Sequence, residues 1–302
     1  MKPKVVVLIP TRDRPKYLNL TLDSVCEQAA RFGHRVEIVV SDQSDVKNSV
    51  ANEQFVKKLE ARYAVPIRIY HKVNNGVIKR ILEGASEDER KAFETLVPKD
   101  GHYGAQRNRL ALLGAYHGGE NALFLHLDDD TPMLKVTESG SVKRHENDVF
   151  SAYLAAFEHA KILGKPGFSA RVFGVPDGAL SSGRARKPAD LKRELVRRKA
   201  SVKDALPSGH SMAHGRMLDF EAMTEPYHPR GKNSDFHHTD LVYANAIIRG
   251  YYSDNRAPGL LHVGITGKRP IRGLFSFYPV KIKPRIREGW LELTSRAARL
   301  EH

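Results

Sequence analysis

Three consecutive acids, Asp128, Asp129 and Asp130, follow the apolar run 122–127 (ALFLHL). Carboxylates one residue apart on a turn can share one Mg2+ or Mn2+, an ion that takes a few carboxylate oxygens and fills its shell with water and substrate phosphates. Held there, the ion would act as a Lewis acid toward a departing diphosphate. Acids at strand ends also commonly cap the next helix or face water, so the triplet needs context. Other residues able to do chemistry are Thr11-Arg12-Asp13, the acidic turn 42–45, the pair Arg107-Asn108, and His237, His238 and Asp240 close together. His262, in LLHVG, follows an apolar pair and by itself reads as a hydrogen-bonded half-buried residue. Cys26 stands alone, so neither a disulfide framework nor a cysteine metal cluster is expected.

The elements needed to position these residues are legible in the pattern. Residues 4–9 (KVVVLI) form a continuous β-branched run ended by Pro10, as expected of a buried parallel strand. A helix follows over 17–31, then a strand at 36–40, a helix from about 50 to 63 and a strand at 67–70. Another helix over 103–116 leads into the strand 122–127. Strands alternating with helices imply βαβ units and a parallel sheet, with ligands beyond the carboxyl ends of its strands. Thr11, Asp42 and Asp128 all stand at such ends. The charged stretch 77–101 interrupts this rhythm, and its purpose is not legible. Helices are further expected over 149–163, 188–203 and 239–249, and a Pro- and Arg-rich tail beyond 267.

Four segments in one order carry a resemblance: VVVLIPTRDRP (5–15), EIVVSDQSD (37–45), GAQRNRL (104–110) and LHLDDDT (125–131). Together they resemble the donor-binding half of family 2-like glycosyltransferases of the GT-A fold. The likeness spans roughly 4–135 and more weakly 207–264. It implies a mostly parallel α/β sheet flanked by helices, a Rossmann-like nucleotide-binding half and an acceptor-binding C-terminal half. It also implies transfer of a sugar from a nucleoside diphosphate donor to a hydroxyl, with inversion, assisted by Mn2+ or Mg2+. By the same resemblance Pro10, Thr11 and Arg12 touch the nucleotide and Asp42 bonds the base. Ser41 replaces an acid of the family's pair there. Arg107 and Asn108 lie near the diphosphate, and Asp128 and Asp129 face the nucleotide. Asp128 and Asp130 hold the metal, Asp130 being the favoured direct ligand, with His262 as a third. SGHSMA (208–213) resembles the Gly-rich segment under the acceptor and donor sugars. FHHTDLVYANAIIRGY (236–251) resembles a later helix, but with His237 and His238 where the family has an acidic pair. The general base is then Asp240 or His238.

The resulting layout is a donor half at 1–135 with an insertion at 77–101, an acceptor half at 136–266 with the basic helix 188–203, a basic tail at 267–299, and a purification-tag remnant at 300–302. The net charge of +14 is concentrated. Residues 183–203 hold nine Lys/Arg against two acids, and 267–287 hold seven with none. Such segments suit an anionic acceptor, nucleic acid, a membrane surface, or a lid over the diphosphate. With 41% apolar residues, no run long enough for a membrane span and no secretory leader, a soluble cytoplasmic enzyme is expected, peripheral to a membrane at most. Two other classes suit parts of the pattern: a nucleotidyltransferase using the same carboxylates, and a nucleic-acid-binding protein with a structural acidic cluster.

Overall fold

The computed structural model describes residues 2–71, 76–98, 103–136, 142–164, 167–170, 172–173, 216–227, 260–261 and 282–300. Its first half alternates strands and helices as the apolar pattern demands. β1 (Val5–Thr11) is buried along its whole length and lies between β2 (Val36–Asp42) and β4 (Leu123–His126), both parallel to it. β3 (Ile67–His71) extends the sheet beyond β2, again in parallel. β1 does not stop at Pro10, as expected from its missing N–H, but continues to Thr11, with Pro10 opposite Ser41. α1 (Pro15–Phe32) and α2 (Val46–Tyr63) cover one face. Their Leu18, Leu22, Val25, Val56 and Leu59 pack on Val5, Val7, Ile9, Ile38 and Val40.

The chain between β3 and β4 covers the other face. α3 (Gly76–Glu83), α4 (Glu87–Leu96) and α5 (Tyr103–Gly118) bring Ile81, Ala92, Leu96, Leu110 and Leu113 against Val6, Leu8 and Val39. Gly114 lets α5 lie close on β1, since a Cβ there would meet Leu8 Cδ2 at 2.8 Å. The interruption at 77–101 thus supplies two helices, the second opened by a capping box between Ser86 and Glu89.

The second half completes the same sheet rather than standing apart from it. After the Asp triplet come a hairpin, β5 (Leu134–Val136) with β6 (Val142–Arg144), and α6 (Val149–Ile162). α6 adds Phe150, Tyr153 and Phe157 to the core beside α1. β7 (Gly167–Ser169) and β9 (Arg216–Leu218) join at the edge, giving the order β3-β2-β1-β4-β9-β7. β9 runs antiparallel to both of its neighbours. β8 (Val172–Phe173) pairs in parallel with β10 (Leu260–Leu261), which also lies near β5. α7 (Phe220–Thr224) follows β9.

Of the expected tail, 267–281 lies outside the described residues and 282–299 is corrected. Pro284–Arg299 is a helix, α8, starting at a proline where the missing N–H costs nothing, and it packs on α4 and α5. Trp290 and Leu293 are fully buried there, and Leu300, read as tag, rests on the same core. Two of the tail's cations are consumed internally: Arg285 pairs with Asp88 and Arg287 with Glu225. An apolar face at helical spacing (Ile286, Trp290, Leu293, Ala297) was present but masked by the surrounding charge.

Candidate active site

The strand register sets Thr11, Asp42 and His71 side by side at the carboxyl edge of β1, β2 and β3. The loops after β1 and β2 are laced to one another. Asp13 adopts the left-handed region (φ 56), which a short polar side chain tolerates. Its N–H donates to Ser44 Oγ at 2.8 Å, and its Oδ1 accepts from the Asp45 N–H at 2.8 Å. The Gln43 N–H donates to the Thr11 carbonyl at 3.0 Å. Gln106, from the first turn of α5, bridges the Thr11 and Ser41 carbonyls at 3.2 and 2.9 Å. This joins two strand ends to a third element, so the floor of the site is built before any ligand arrives.

Asp42 was expected to bond a base, and its geometry argues for a different duty. It is fully buried, accepts from the Ser44 N–H at 2.8 Å and Asn52 Nδ2 at 3.0 Å, and has His71 Nδ1 at 3.1 Å. His71 in turn reaches Glu53 Oε1 at 2.9 Å through Nε2. Asn108 departs further from expectation. Its amide donates to the carbonyls of Leu96 (2.9 Å) and Tyr227 (2.8 Å) and accepts from the Tyr227 N–H (2.6 Å). That residue stitches α5 to the end of α4 and to the chain after α7. Pro10 and Thr11 are buried behind the edge, whereas the Arg12 side chain is open to solvent.

At the end of β4 the three aspartates meet two arginines. Arg107, wholly buried on α5, ion-pairs with Asp128 and donates to the Leu127 carbonyl at 3.4 Å. Arg14, at the N-cap position of α1, lies 2.8 Å from Asp130 Oδ2 and 3.4 Å from Asp129 Oδ1. Thr11 Oγ1 donates to Asp129 Oδ2 at 2.8 Å, and Thr21 Oγ1 donates to the Asp129 carbonyl at 2.8 Å. Thr131 closes the turn by accepting from the Asp128 N–H at 2.9 Å. Burial first, then the charge of Asp130, hold the Asp129 carboxyl well above the usual carboxylate range, against the pull of Arg14. Side-chain exposure is 16% for Asp128 and 3% for Asp130. The more open of the expected ligands is therefore Asp128, and reaching Asp130 means dealing with Arg14.

Arg14, Gln106, Thr21 and Thr131 were not singled out from the sequence. Arg14 lies inside TRDRP, one position before the helix-starting proline, the place from which a side chain reaches back over strand ends. The expected residues His238, Asp240 and His262 lie outside the described residues, as do 183–203, 208–213 and 236–251. Residue 261, the neighbour of His262, belongs to β10, near the hairpin strand β5 that follows the triplet.

No protein-family model matches the chain, and neither does any curated protein. Among solved structures, it is similar to a mannosyltransferase from Pyrobaculum calidifontis in complex with GDP-Man and Mn2+, at 12% identity and TM-score 0.45, over 90% of this chain and 59% of that one. Mannosyl-3-phosphoglycerate synthase from Rubrobacter xylanophilus gives 13% identity and TM-score 0.45, over 83% and 64%. Glucosyl-3-phosphoglycerate synthase from Mycobacterium tuberculosis, in complex with Mg2+ and UDP, gives 11% and 0.43, over 87% and 72%. The chain thus spans less than two thirds of the first two. Likeness at this level does not carry function, and the functional case rests on the site.

The donor set suits a hard divalent ion. Its described part is oxygen, three carboxylates on one turn, of which burial and then the charge of Asp130 hold Asp129 toward its neutral form. Among the described residues no group of three or more His, Cys, Asp or Glu converges to hold an ion alone. Mg2+-type sites do not need one, because one or two carboxylates plus substrate phosphates complete the shell. None of the described helices is long and apolar enough to cross a membrane.

Proposed function

We propose that this chain is a divalent-metal-dependent glycosyltransferase, moving a sugar from a nucleoside diphosphate to a hydroxyl with inversion. The observation carrying the reading is the Asp128–Asp130 turn, held between Arg14 and Arg107 at the carboxyl edge of a parallel sheet. It stands in the same order along the chain as the motifs that resemble GT-A glycosyltransferases. Asp128 and Asp130, with His262, would hold Mn2+ or Mg2+, which when bound neutralises charge on the departing diphosphate. Arg12 is the exposed cation at the nucleotide edge, over the buried Pro10 and Thr11. Asp42 acts from beneath, fixing the 42–45 turn and the His71 ring. Arg107 orients Asp128 while Asn108 secures the helix that carries it. In the chemical step the acceptor oxygen bonds to the anomeric carbon as the bond to the diphosphate breaks. Asp240 or His238 takes the hydroxyl proton. The excess cations of 183–203 favour an anionic acceptor.

The test is thermal stabilisation by a panel of sugar nucleotides with and without Mn2+. A cognate donor at about a hundred times its Kd adds about 2.7 kcal/mol, roughly 4 °C for a chain of this size. Asp128→Asn should abolish the Mn2+-dependent part. Indifference to every donor in the presence of metal would sink the proposal, and a response to nucleoside triphosphates alone would move it to nucleotidyl transfer.

A further inference from the structure

We propose that Arg14 is an exchangeable counter-ion: it occupies Asp129 and Asp130 in the metal-free enzyme and is handed to the donor diphosphate when the divalent ion arrives. This rests on the metal site proposed above. The two arginines of the site differ in their freedom. Arg107 is wholly buried and tied to both Leu127 and Asp128, so it stays with the turn. Arg14 retains 32% side-chain exposure, and its backbone is set by the helix start at Pro15. Its departure therefore needs only side-chain rotation.

Electrostatics makes the exchange selective. Arg14 Nη1 lies 2.8 Å from Asp130 and 3.4 Å from Asp129, so an ion bonded to either carboxylate would sit beside a guanidinium. Cation repels cation, and in a site this enclosed the repulsion is weakly screened. Both guanidiniums are already paired with the turn, so a divalent ion added among them meets their charge as well as that of the carboxylates. Releasing Arg14 removes the more mobile of those two cations and frees a planar fork suited to phosphate. Metal and nucleotide binding are then coupled, each helping the other by the same factor. Metal alone binds weakly because it must evict Arg14 with no diphosphate to receive it.

Titration calorimetry of Mn2+ alone, and of Mn2+ with saturating UDP or GDP, tests this on the wild-type chain and Arg14→Gln. A second variant, Arg14→Met, keeps the aliphatic stem and carries the same expectation, and metal-free melting curves establish that both fold. Loss of the guanidinium should tighten binding of Mn2+ alone about tenfold, within the usual range for coupled sites. The enhancement of Mn2+ binding by nucleotide should shrink by a similar factor. Mn2+ affinity unchanged or weaker in both variants, with normal binding in the wild type, overturns the exchange and leaves the metal site standing. No Mn2+ binding by the wild type with either nucleotide removes the metal site and the exchange together.

Discussion

At the scale of single residues the site is organised by groups bound to the protein itself. Arg107 resembles a diphosphate-facing residue, yet its guanidinium is fully enclosed and spent on Asp128 and the Leu127 carbonyl. Removing it would strand a carboxylate that has no full access to water. Arg107→Ala should therefore cost about 3–5 kcal/mol in urea denaturation, as breaking a buried pair does. Arg107→Lys should recover only part of that, because an ammonium lacks the fork that serves both acceptors. A cost under about 1 kcal/mol for the alanine variant would show that the pair is solvated in solution. The residue types here were legible and their partners were not. Nothing local distinguishes an Asn108 that stitches three segments from one that waits for phosphate, because both need only an amide at a helix start.

At the scale of elements the unexpected feature is the clamp made by α8 on α4 and α5. Trp290 is fully buried and its Nε1–H donates to the Thr224 carbonyl at 2.8 Å. Arg296 grips Glu89 through two hydrogen bonds of 2.8 and 3.1 Å. Gly289 allows the contact, since a Cβ there would meet the Asp88 carbonyl at 2.7 Å. Trp290→Ala should destabilise by about 3–5 kcal/mol. Gly289→Ala should cost about 1–3 kcal/mol by overpacking against backbone. Both are read as shifts of the urea midpoint, and a Gly289→Ala protein as stable as wild type would mean that α8 sits further from α4. Because Asn108 is bonded to Leu96 at the end of α4 and to Tyr227 after α7, this clamp also steadies the start of α5, where Gln106 and Arg107 act.

At the scale of the whole molecule, Glu37 gathers charges from the N-terminal segment, α5 and β3. Lys4 lies at 2.9 Å, His117 at 3.0 Å and Arg68 at 3.4 Å. Burial alone would raise its pKa, but hydrogen bonds and charge from His117 and Lys4 win and lower it from 4.5 to about 2. A carboxyl depressed on folding contributes stability that is present above its unfolded pKa and lost as pH falls toward the folded one. The protein should thus lose stability between pH 4.5 and about 2, and Glu37→Gln should flatten that slope. Glu89, lowered against burial by Arg296 and Ser86, adds to the same trend. Urea midpoints measured across this range decide it, and an unchanged slope in Glu37→Gln would assign the acid sensitivity elsewhere.

The amino-acid sequence alone determined the alternation of buried strands and helices through β4, because apolar periodicity is a local property of the chain. It also determined that Thr11, Asp42 and Asp128 share one edge, since parallel strands must all end on the same side. Tertiary structure decided what those residues do for one another. Asp42 is buried and bound from within, Arg14 crosses from α1 to the triplet, and α4, within the interrupting stretch, is a bed for α8. Each of these depends on contacts between residues more than a hundred positions apart or on burial of a charge, and neither is written in local pattern. A basic stretch such as 282–299 reads as solvated until a partner helix shows which of its faces is apolar.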